Sequence, residues 1–138
     1  MSKTDRETLQ MRALSKGETY ARLARDIGVM SAEVAAAHPL TKQEIRVMDD
    51  ELTLLPPRDE VILRARYGLD DGRLATLEAV SKKFGVTDQR VSDIEKRALE
   101  KLRQQIHTDR LKYRLGLMSP DEKQAYEGGK STSTTKTK

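Results

Sequence analysis

Few residues of this chain are of the types and spacings that perform catalysis. The two histidines, His38 and His107, have no metal-ligand spacing between them. The sequence contains no cysteine, and it has neither a glycine-rich phosphate loop nor a nucleophile motif. We therefore expect no enzymatic activity, no cofactor, no bound metal and no small-molecule substrate. Each histidine is interpreted as a surface or capping residue.

Hydrogen bonding to nucleic acid is the chemistry that the spacing around Gly85 indicates. In a helix-turn-helix unit two helices cross steeply, so the first helix needs a small residue at the crossing and the turn needs a glycine. Ser81 precedes Gly85 by four residues. Apolar residues occupy the flanking positions that hold such a pair together, namely Val80, Phe84, Val86, Val91 and Ile94. The pattern predicts a helix-turn-helix unit.

The same template fits around Gly28. Small or apolar residues occur there at the matching offsets, and they are Leu23, Ala24, Ile27, Val29, Val34 and Ala37. We therefore predict a second, amino-terminal helix-turn-helix unit. The alternative for either unit is a helical hairpin that packs for stability alone.

The elements that position these units are all helical, because no stretch shows sustained strand-like alternation. Capping side chains and punctuating Gly and Pro residues predict where each helix begins and ends. In the first third of the chain the predicted helices are one over Lys3–Leu14 ending near Gly17, one over Tyr20–Ile27 capped by Thr19, and one from Ser31 through Ala37. The next helices are one starting at the Thr41–Glu44 capping box, one from Pro57 to Gly68 and one over Leu77–Phe84, the last capped by Thr76. One long helix then runs from Asp88 past Arg103, and a short one runs from Ser119 to Tyr126.

Composition limits the class of protein. The 138 residues carry a formal net charge of +4, a pI near 9.4 and only one Phe and no Trp, so a core of aliphatic side chains in one or two small domains is expected. No apolar run approaches the ~20 residues of a membrane span, and we expect a cytoplasmic protein without membrane association. The expected divisions are residues 1–40, 41–118 and 119–138, the last ending in a disordered basic tail, Lys130–Lys138.

Several ordered motifs between about Asp50 and Gln104 resemble region 4 of the primary bacterial sigma factors. They are Leu54-Leu-Pro-Pro-Arg-Asp-Glu60, Arg64-Ala-Arg-Tyr-Gly-Leu-Asp-Asp-Gly72, Thr76-Leu-Glu78, Phe84-Gly-Val-Thr87 and Ile94-Glu-Lys-Arg-Ala-Leu-Glu-Lys-Leu-Arg103. The resemblance also explains the presence of Asp70 and Asp71, which we interpret as a solvated pair in a loop. Promoter melting in the family uses an aromatic-rich segment of another domain, so we expect that this chain is not a complete sigma factor.

The resemblance implies two binding surfaces. In the family, the first part of region 4 docks on the flap of the RNA polymerase β subunit, and the helix-turn-helix reads the upstream promoter element. The positions implied at or near DNA are Arg58, Arg66, Thr76, Leu77, Glu78, Thr87, Gln89, Arg90 and Arg97. Those implied at the polymerase-binding hollow are Leu55, Val61, Ile62, Leu99 and Leu102. The alternative for these apolar residues is a role in the core alone.

The sequence departs from the family where bases are read. The family has an Arg-Glu-Arg-Ile-Arg-Gln run after the turn, whereas this chain has Asp88-Gln-Arg-Val-Ser-Asp93. An arginine bidentate to guanine supplies about 1–3 kcal/mol of discrimination, so the usual promoter preference should be lost. Gln89 and Arg90 can still contact DNA, Asp93 can accept from a cytosine amine, and Asp88 also favours the helix dipole.

Three functions remain open at this stage. The first is a transcription regulator, of phage or mobile-element origin, that engages RNA polymerase, promoter DNA or both. The second is a repressor or activator that acts through DNA alone with both helix-turn-helix units. The third is an interaction module or inhibitor that occupies the sigma or polymerase surface without reading DNA, which the acids at Asp88 and Asp93 favour. The salt dependence of binding would distinguish these functions, because affinity from phosphate contacts falls steeply with salt whereas affinity from an apolar contact changes little.

Overall fold

The computed structural model describes residues 14–129, and within that range the chain is all-α, as predicted. The expected helix over Lys3–Leu14, apart from the non-helical Leu14, and the expected disordered tail lie outside the described residues. The helices of the described range, in chain order, are α1 (Lys16–Asp26), α2 (Ala32–Ala37), α3 (Lys42–Leu52), α4 (Pro57–Tyr67), α5 (Leu77–Phe84), α6 (Asp88–Leu102), α7 (Gln105–Arg114) and α8 (Pro120–Glu127).

Most helix starts follow the predicted caps. The hydroxyls of four predicted residues each accept a hydrogen bond from the backbone N–H three residues on, and these caps are Ser31, Thr41, Thr76 and Ser119. Pro57 is the first residue of α4, and Gly68 ends that helix in the left-handed conformation with φ of 64°. These predictions are confirmed because each depends on chemistry within four residues of the helix end.

The first described helix begins earlier than predicted. Ser15 caps α1 and forms a capping box with Glu18, whereas Thr19 is buried inside the helix and donates to the Lys16 carbonyl at 2.9 Å. Gly17 lies within α1 rather than ending a helix. A Cβ on Gly17 would lie 2.6 Å from the carbonyl oxygen of Leu40, so this position admits the close approach of α1 and the chain before α3.

The predicted long helix starts at Asp88 as expected, but its predicted course past Arg103 is wrong. It ends at Leu102, and α7 starts at Gln105 without a side-chain cap. No Gly or Pro interrupts the sequence here, so the break has a tertiary cause. The Arg103 Nε donates to the carbonyl oxygen of Asp26 at 3.0 Å, and ion pairs hold α7 against α3.

Two hydrophobic clusters form the core of the described residues. The larger combines side chains of α1, α3, α4, α6 and α7, and its largest members include Tyr20, Leu23, Met48, Leu52, Leu63, Leu102 and Leu111. The smaller consists of Ile62, Val80, Val91 and Ile94. Both α4 and α6 contribute to both clusters, so these two helices join the helix-turn-helix to the rest of the molecule.

The carboxy-terminal helix α8 packs on α7 through two tyrosines. The rings of Tyr113 and Tyr126 lie 4.7 Å apart between centroids, and the Tyr113 hydroxyl donates to Glu127 at 2.7 Å. These contacts stabilise a helix too short to be stable alone. Among residues 14–129, no helix has the length and apolar character that crossing a bilayer requires.

A buried carboxylate joins α3 to α7. The Glu51 side chain is 3% exposed and accepts two hydrogen bonds from Arg110, at 2.7 and 3.1 Å, while His107 Nδ1 lies 2.5 Å from Glu51 Oε2. Burial alone would raise the pKa of Glu51, but the hydrogen bonds from Arg110 and His107 outweigh it and hold that pKa below its usual value. His107 is therefore part of an internal cluster, and its interpretation as a surface or capping residue is wrong.

We predict that Glu51→Ala lowers the free energy of unfolding by about 2–4 kcal/mol, because it leaves the partly buried guanidinium of Arg110 and the imidazole of His107 without their partner. A carboxyl with a lowered pKa stabilises the fold above the usual value of 4.5 and loses that contribution as pH falls through the lowered pKa. The deficit of the variant should therefore be largest near neutral pH and shrink below pH 4.5, as measured by urea denaturation.

The matched control is Asp50→Ala. Asp50 also forms an ion pair with α7, through Arg114 at 3.0 Å, but both side chains are substantially exposed. Loss of this ion pair should therefore change the free energy of unfolding by less than about 1 kcal/mol. Equal effects of the two substitutions at neutral pH would contradict the assigned role of Glu51.

Candidate nucleic-acid interface

The turn between α5 and α6 has the geometry of a helix-turn-helix. Gly85 ends α5 with φ of 66°, a conformation that favours glycine, and the Val86 N–H then donates to the Ser81 carbonyl at 3.0 Å. Thr87 caps α6 by accepting from the Arg90 N–H at 3.0 Å. The predicted unit around Gly85 is confirmed, and its second helix begins at Asp88 as expected.

The two helices are packed through the positions that the template specifies. Val80, Val91 and Ile94 are no more than 1% exposed and meet Ile62 of α4 in the smaller cluster. Ser81 is 7% exposed, as a small residue at a helix crossing should be, and its hydroxyl donates to the Glu78 carbonyl at 2.9 Å. The orientation of α6 therefore depends on α4 as well as on α5.

The amino-terminal unit has a similar turn but a different second helix. Gly28 also has a positive φ, of 82°, and Leu23, Ala24, Ile27 and Val29 are buried. However, α2 has six residues and no buried member, and Val34 is 38% exposed. The second helix of this unit packs on the larger cluster through the partly buried Ala35, but unlike α6 it contributes no fully buried side chain.

Arg66, one of the residues implied at DNA, is used internally. Its Nε donates to Glu95 Oε1 of α6 at 2.8 Å, and its Nη1 donates to the Ala75 carbonyl at 2.7 Å. The Arg66 and Glu95 side chains are 23% and 19% exposed. Arg66 therefore joins α4 to α6 and to the segment that precedes α5.

Arg97 makes a comparable link but remains half exposed. Its Nη2 and Nε donate to the two oxygens of Asp59, at 3.0 and 3.3 Å, while its side chain is 52% exposed. Asp59 is 3% exposed, and its hydrogen bonds and charge raise the pKa of Arg97. The guanidinium is thus fixed at the surface, in a position from which a cation can face a phosphate.

The first two turns of α6 present polar side chains to solvent. Asp88, Gln89, Arg90 and Asp93 are all exposed. Gln89 Nε2 donates to Asp93 Oδ1 at 2.8 Å, so these two side chains interact across one turn. The exposed face therefore combines one cation with two carboxylates and one amide.

The remaining residues implied at DNA lie close to the same unit. Thr76 is exposed and caps α5 by accepting from the Ala79 N–H at 3.0 Å, while Leu77 is half-buried against the smaller cluster. Glu78 is exposed and 3.3 Å from Lys82. Arg58 is exposed in the first turn of α4, and no ion pair to it occurs among the described residues.

The five residues implied at the polymerase-binding hollow differ in exposure. Leu55, Ile62, Leu99 and Leu102 are buried in the two clusters, whereas Val61 is 46% exposed. Val61 lines an open groove of about 250 Å³ between α4 and α5, together with Ala65, Val80 and Phe84. Charged side chains, including Arg64, Asp70 and Lys83, also line this groove.

Long-range polar networks were not predicted from the sequence. The Tyr20 hydroxyl donates to Asp49 at 2.6 Å, and Arg64 donates to both of these residues and to Glu60. Burial and the bond to Asp49 raise the pKa of Tyr20. Partners 15 to 44 residues apart leave no local pattern in the sequence, so no sequence signal pointed to this network. No cluster of three potential metal-ligating side chains occurs in residues 14–129.

Comparisons with known proteins link this chain to the sigma factors, and the family model covers the segment that contains this unit. The family model for sigma-70, region 4 matches residues 52–104. The chain is 50% identical over 78 residues to the RNA polymerase sigma factor SigA of a Bacillus species, which covers 56% of this chain and 20% of that protein. It is 46% identical over 81 residues to SigA of Clostridium acetobutylicum, covering 59% of this chain and 20% of that protein.

The chain thus matches about a fifth of the length of these curated relatives. No solved structure matches significantly. The predicted resemblance to region 4 is confirmed for residues 52–104, and the altered run from Asp88 to Asp93 lies inside the matched segment.

We predict that Arg66→Ala lowers the free energy of unfolding by about 1.5–3 kcal/mol, because Glu95 and the Ala75 carbonyl lose a charged donor. Arg58→Ala is the matched control, and it should leave stability within about 0.5 kcal/mol of the original chain. Urea denaturation followed by circular dichroism measures both. If the two arginine variants unfold at the same urea concentration, Arg66 has no structural role of the kind described.

Proposed function

We propose that this chain, whose residues 52–104 are a sigma-70 region 4 segment, is a transcription regulator that engages RNA polymerase, through the β flap, and promoter DNA. The observation that carries the proposal is the helix-turn-helix of α5 and α6, packed on α4 through Ile62 within the matched segment. The curated relatives are named RNA polymerase sigma factors, and residues 52–104 of this chain match the model for sigma-70, region 4.

The polymerase contact is assigned to the exposed side of α4. Leu55, Ile62, Leu99 and Leu102 support this surface from within, because their side chains are buried. Val61 is the member of the implied set that a partner can reach without unfolding the protein, and the apolar side chains that line the groove beside it include Phe84. An apolar contact of this kind is expected to depend little on salt.

The DNA contact is assigned to the start of α6 and to the cations beside it. Arg90 and Arg97 lie on α6, and Arg58 lies at the start of α4. Two of these cations, Arg58 and Arg90, are exposed without an ion-pair partner in the described part of the chain, and Arg97 is fixed by Asp59. Cations in such positions contact phosphates and set the register of the protein on the duplex.

A second function is favoured by the acids of α6. Asp88 and Asp93 are exposed at positions where the resemblance to region 4 implies basic and amide side chains, and carboxylates repel phosphates. An interaction module that occupies the polymerase surface without reading DNA would retain the α4 contact alone. Retention of polymerase without binding of duplex DNA at low salt would select this function.

We predict that Val61→Asp reduces recovery of bacterial RNA polymerase core enzyme on the immobilised full-length chain by roughly ten-fold, because a charge replaces the exposed apolar side chain at the centre of the contact. The measurement is a pull-down at two salt concentrations. Recovery by the original chain should change little between them.

Val34→Asp is the matched control, since Val34 is also exposed but lies on α2, outside residues 52–104. It should recover polymerase as the original chain does. Circular dichroism and melting temperature verify that both variants are folded. Equal recovery by folded Val61→Asp and Val34→Asp variants would exclude the α4 surface, and no recovery by any chain would exclude polymerase engagement.

A further inference from the structure

The carboxylate of Asp93 lies at the centre of the exposed face of α6. Residues 89, 93, 96 and 100 follow one another at three- and four-residue steps, so they share one side of the helix, and all four are exposed. The side chains that face the core, Val91, Ile94 and Ala98, are fully buried. Asp93 is thus directed away from the core, one turn after the start of the helix.

Gln89 holds this carboxylate in place. The amide donates to Asp93 Oδ1 at 2.8 Å, which leaves the second carboxylate oxygen for another donor. Among the described residues no cation lies within ion-pair distance of Asp93, although its charge contributes to the raised pKa of Arg97. The second carboxylate oxygen is therefore an oriented acceptor to which no donor is recorded in residues 14–129, and it lies on the helix that enters the groove in a helix-turn-helix complex.

The major-groove edges of the bases respond differently to such an acceptor. Cytosine presents the N4 amine, a donor, without a neighbouring acceptor. Guanine presents two acceptors and thymine presents one, so both repel a carboxylate, and adenine places its N7 acceptor beside the N6 donor. An acceptor-only side chain consequently favours cytosine.

We propose that Asp93 is a specificity-determining residue that accepts a hydrogen bond from the N4 amine of a cytosine in the major groove, and that Gln89 positions it. The inference rests on the proposed DNA contact and deepens it, because it names the base edge that this chain selects. The inference also explains how Asp93, whose negative charge otherwise counts against DNA binding, can contribute to it.

The basic flank of α6 offsets the repulsion between Asp93 and the phosphates. Arg90, Arg97 and Lys101 recur at seven- and four-residue steps and fall within about 40° of one another around the helix axis. All three are exposed, and Asp59 holds Arg97 through two hydrogen bonds. The cations therefore form a ridge beside the Gln89–Asp93 pair, which suits phosphate contacts next to a base contact.

The test is selection of binding sites from a random duplex library at low salt by the full-length chain and by Asp93→Asn. The original chain should enrich sites with one fixed C·G pair, and replacing that pair by T·A should weaken binding about ten-fold. Asp93→Asn should lose this preference, because an amide presents a donor as well as an acceptor.

Glu100→Gln is the matched control. It exchanges a carboxylate for an amide on the same exposed face, about two turns further along α6, and so removes the same charge. Both variants should gain similar general affinity from reduced repulsion, but Glu100→Gln should keep the C·G preference. Gln89→Ala should weaken that preference several-fold at an unchanged melting temperature, since it removes only the group that orients Asp93.

The outcomes separate this inference from the proposed function. A C·G preference that survives in Asp93→Asn, or is lost equally in Glu100→Gln, overturns the inference and leaves DNA engagement intact. Enrichment of sites with no fixed C·G pair also overturns the inference and leaves DNA engagement intact. Absence of duplex binding with recovery of polymerase overturns the inference and selects the interaction module, and absence of both removes the proposed function.

Discussion

The packing of α4 against α6 is the interaction on which the remaining structure depends. Ile62 of α4 meets Val91 and Ile94 of α6 in the smaller cluster, while the following residue, Leu63, belongs to the larger one. The ion pairs Arg66–Glu95 and Asp59–Arg97 join the same two helices at their polar edges. One interface thus holds the helix-turn-helix on the body and fixes which side of α6 faces solvent.

This arrangement changes how the similarity to sigma region 4 is interpreted residue by residue. Arg66, implied at the DNA backbone, is bonded to Glu95 and the Ala75 carbonyl and acts within the fold. Ile62 and Leu102, implied at the polymerase surface, are buried. The implied residues that remain exposed include Val61 and Arg58 on α4, the polar start of α6, and Arg97. A scaffold similar to region 4 can therefore be retained while the exposed face of α6 differs.

Local signals predicted most helix ends, and distant contacts explain the failures. Thr41, Thr76 and Ser119 cap helices because the donor and acceptor lie within three residues. The break between α6 and α7 has no such signal, since Arg110 and His107 must reach Glu51 across more than fifty residues. The resemblance to region 4 implied the apolar residues of the site as a set, and the burial of Leu55, Ile62, Leu99 and Leu102 agrees with the alternative of a role in the core.

Salt dependence of duplex DNA binding tests the central claim, that α6 engages DNA, most directly. The dissociation constant of the full-length chain would be measured between low and moderate salt, with Arg90→Ala in parallel. Each phosphate contact contributes about one unit to the slope of log affinity against log salt concentration. The account predicts salt-sensitive binding and a slope smaller by about one in Arg90→Ala. An unchanged slope in that variant, or no binding at low salt, would contradict it.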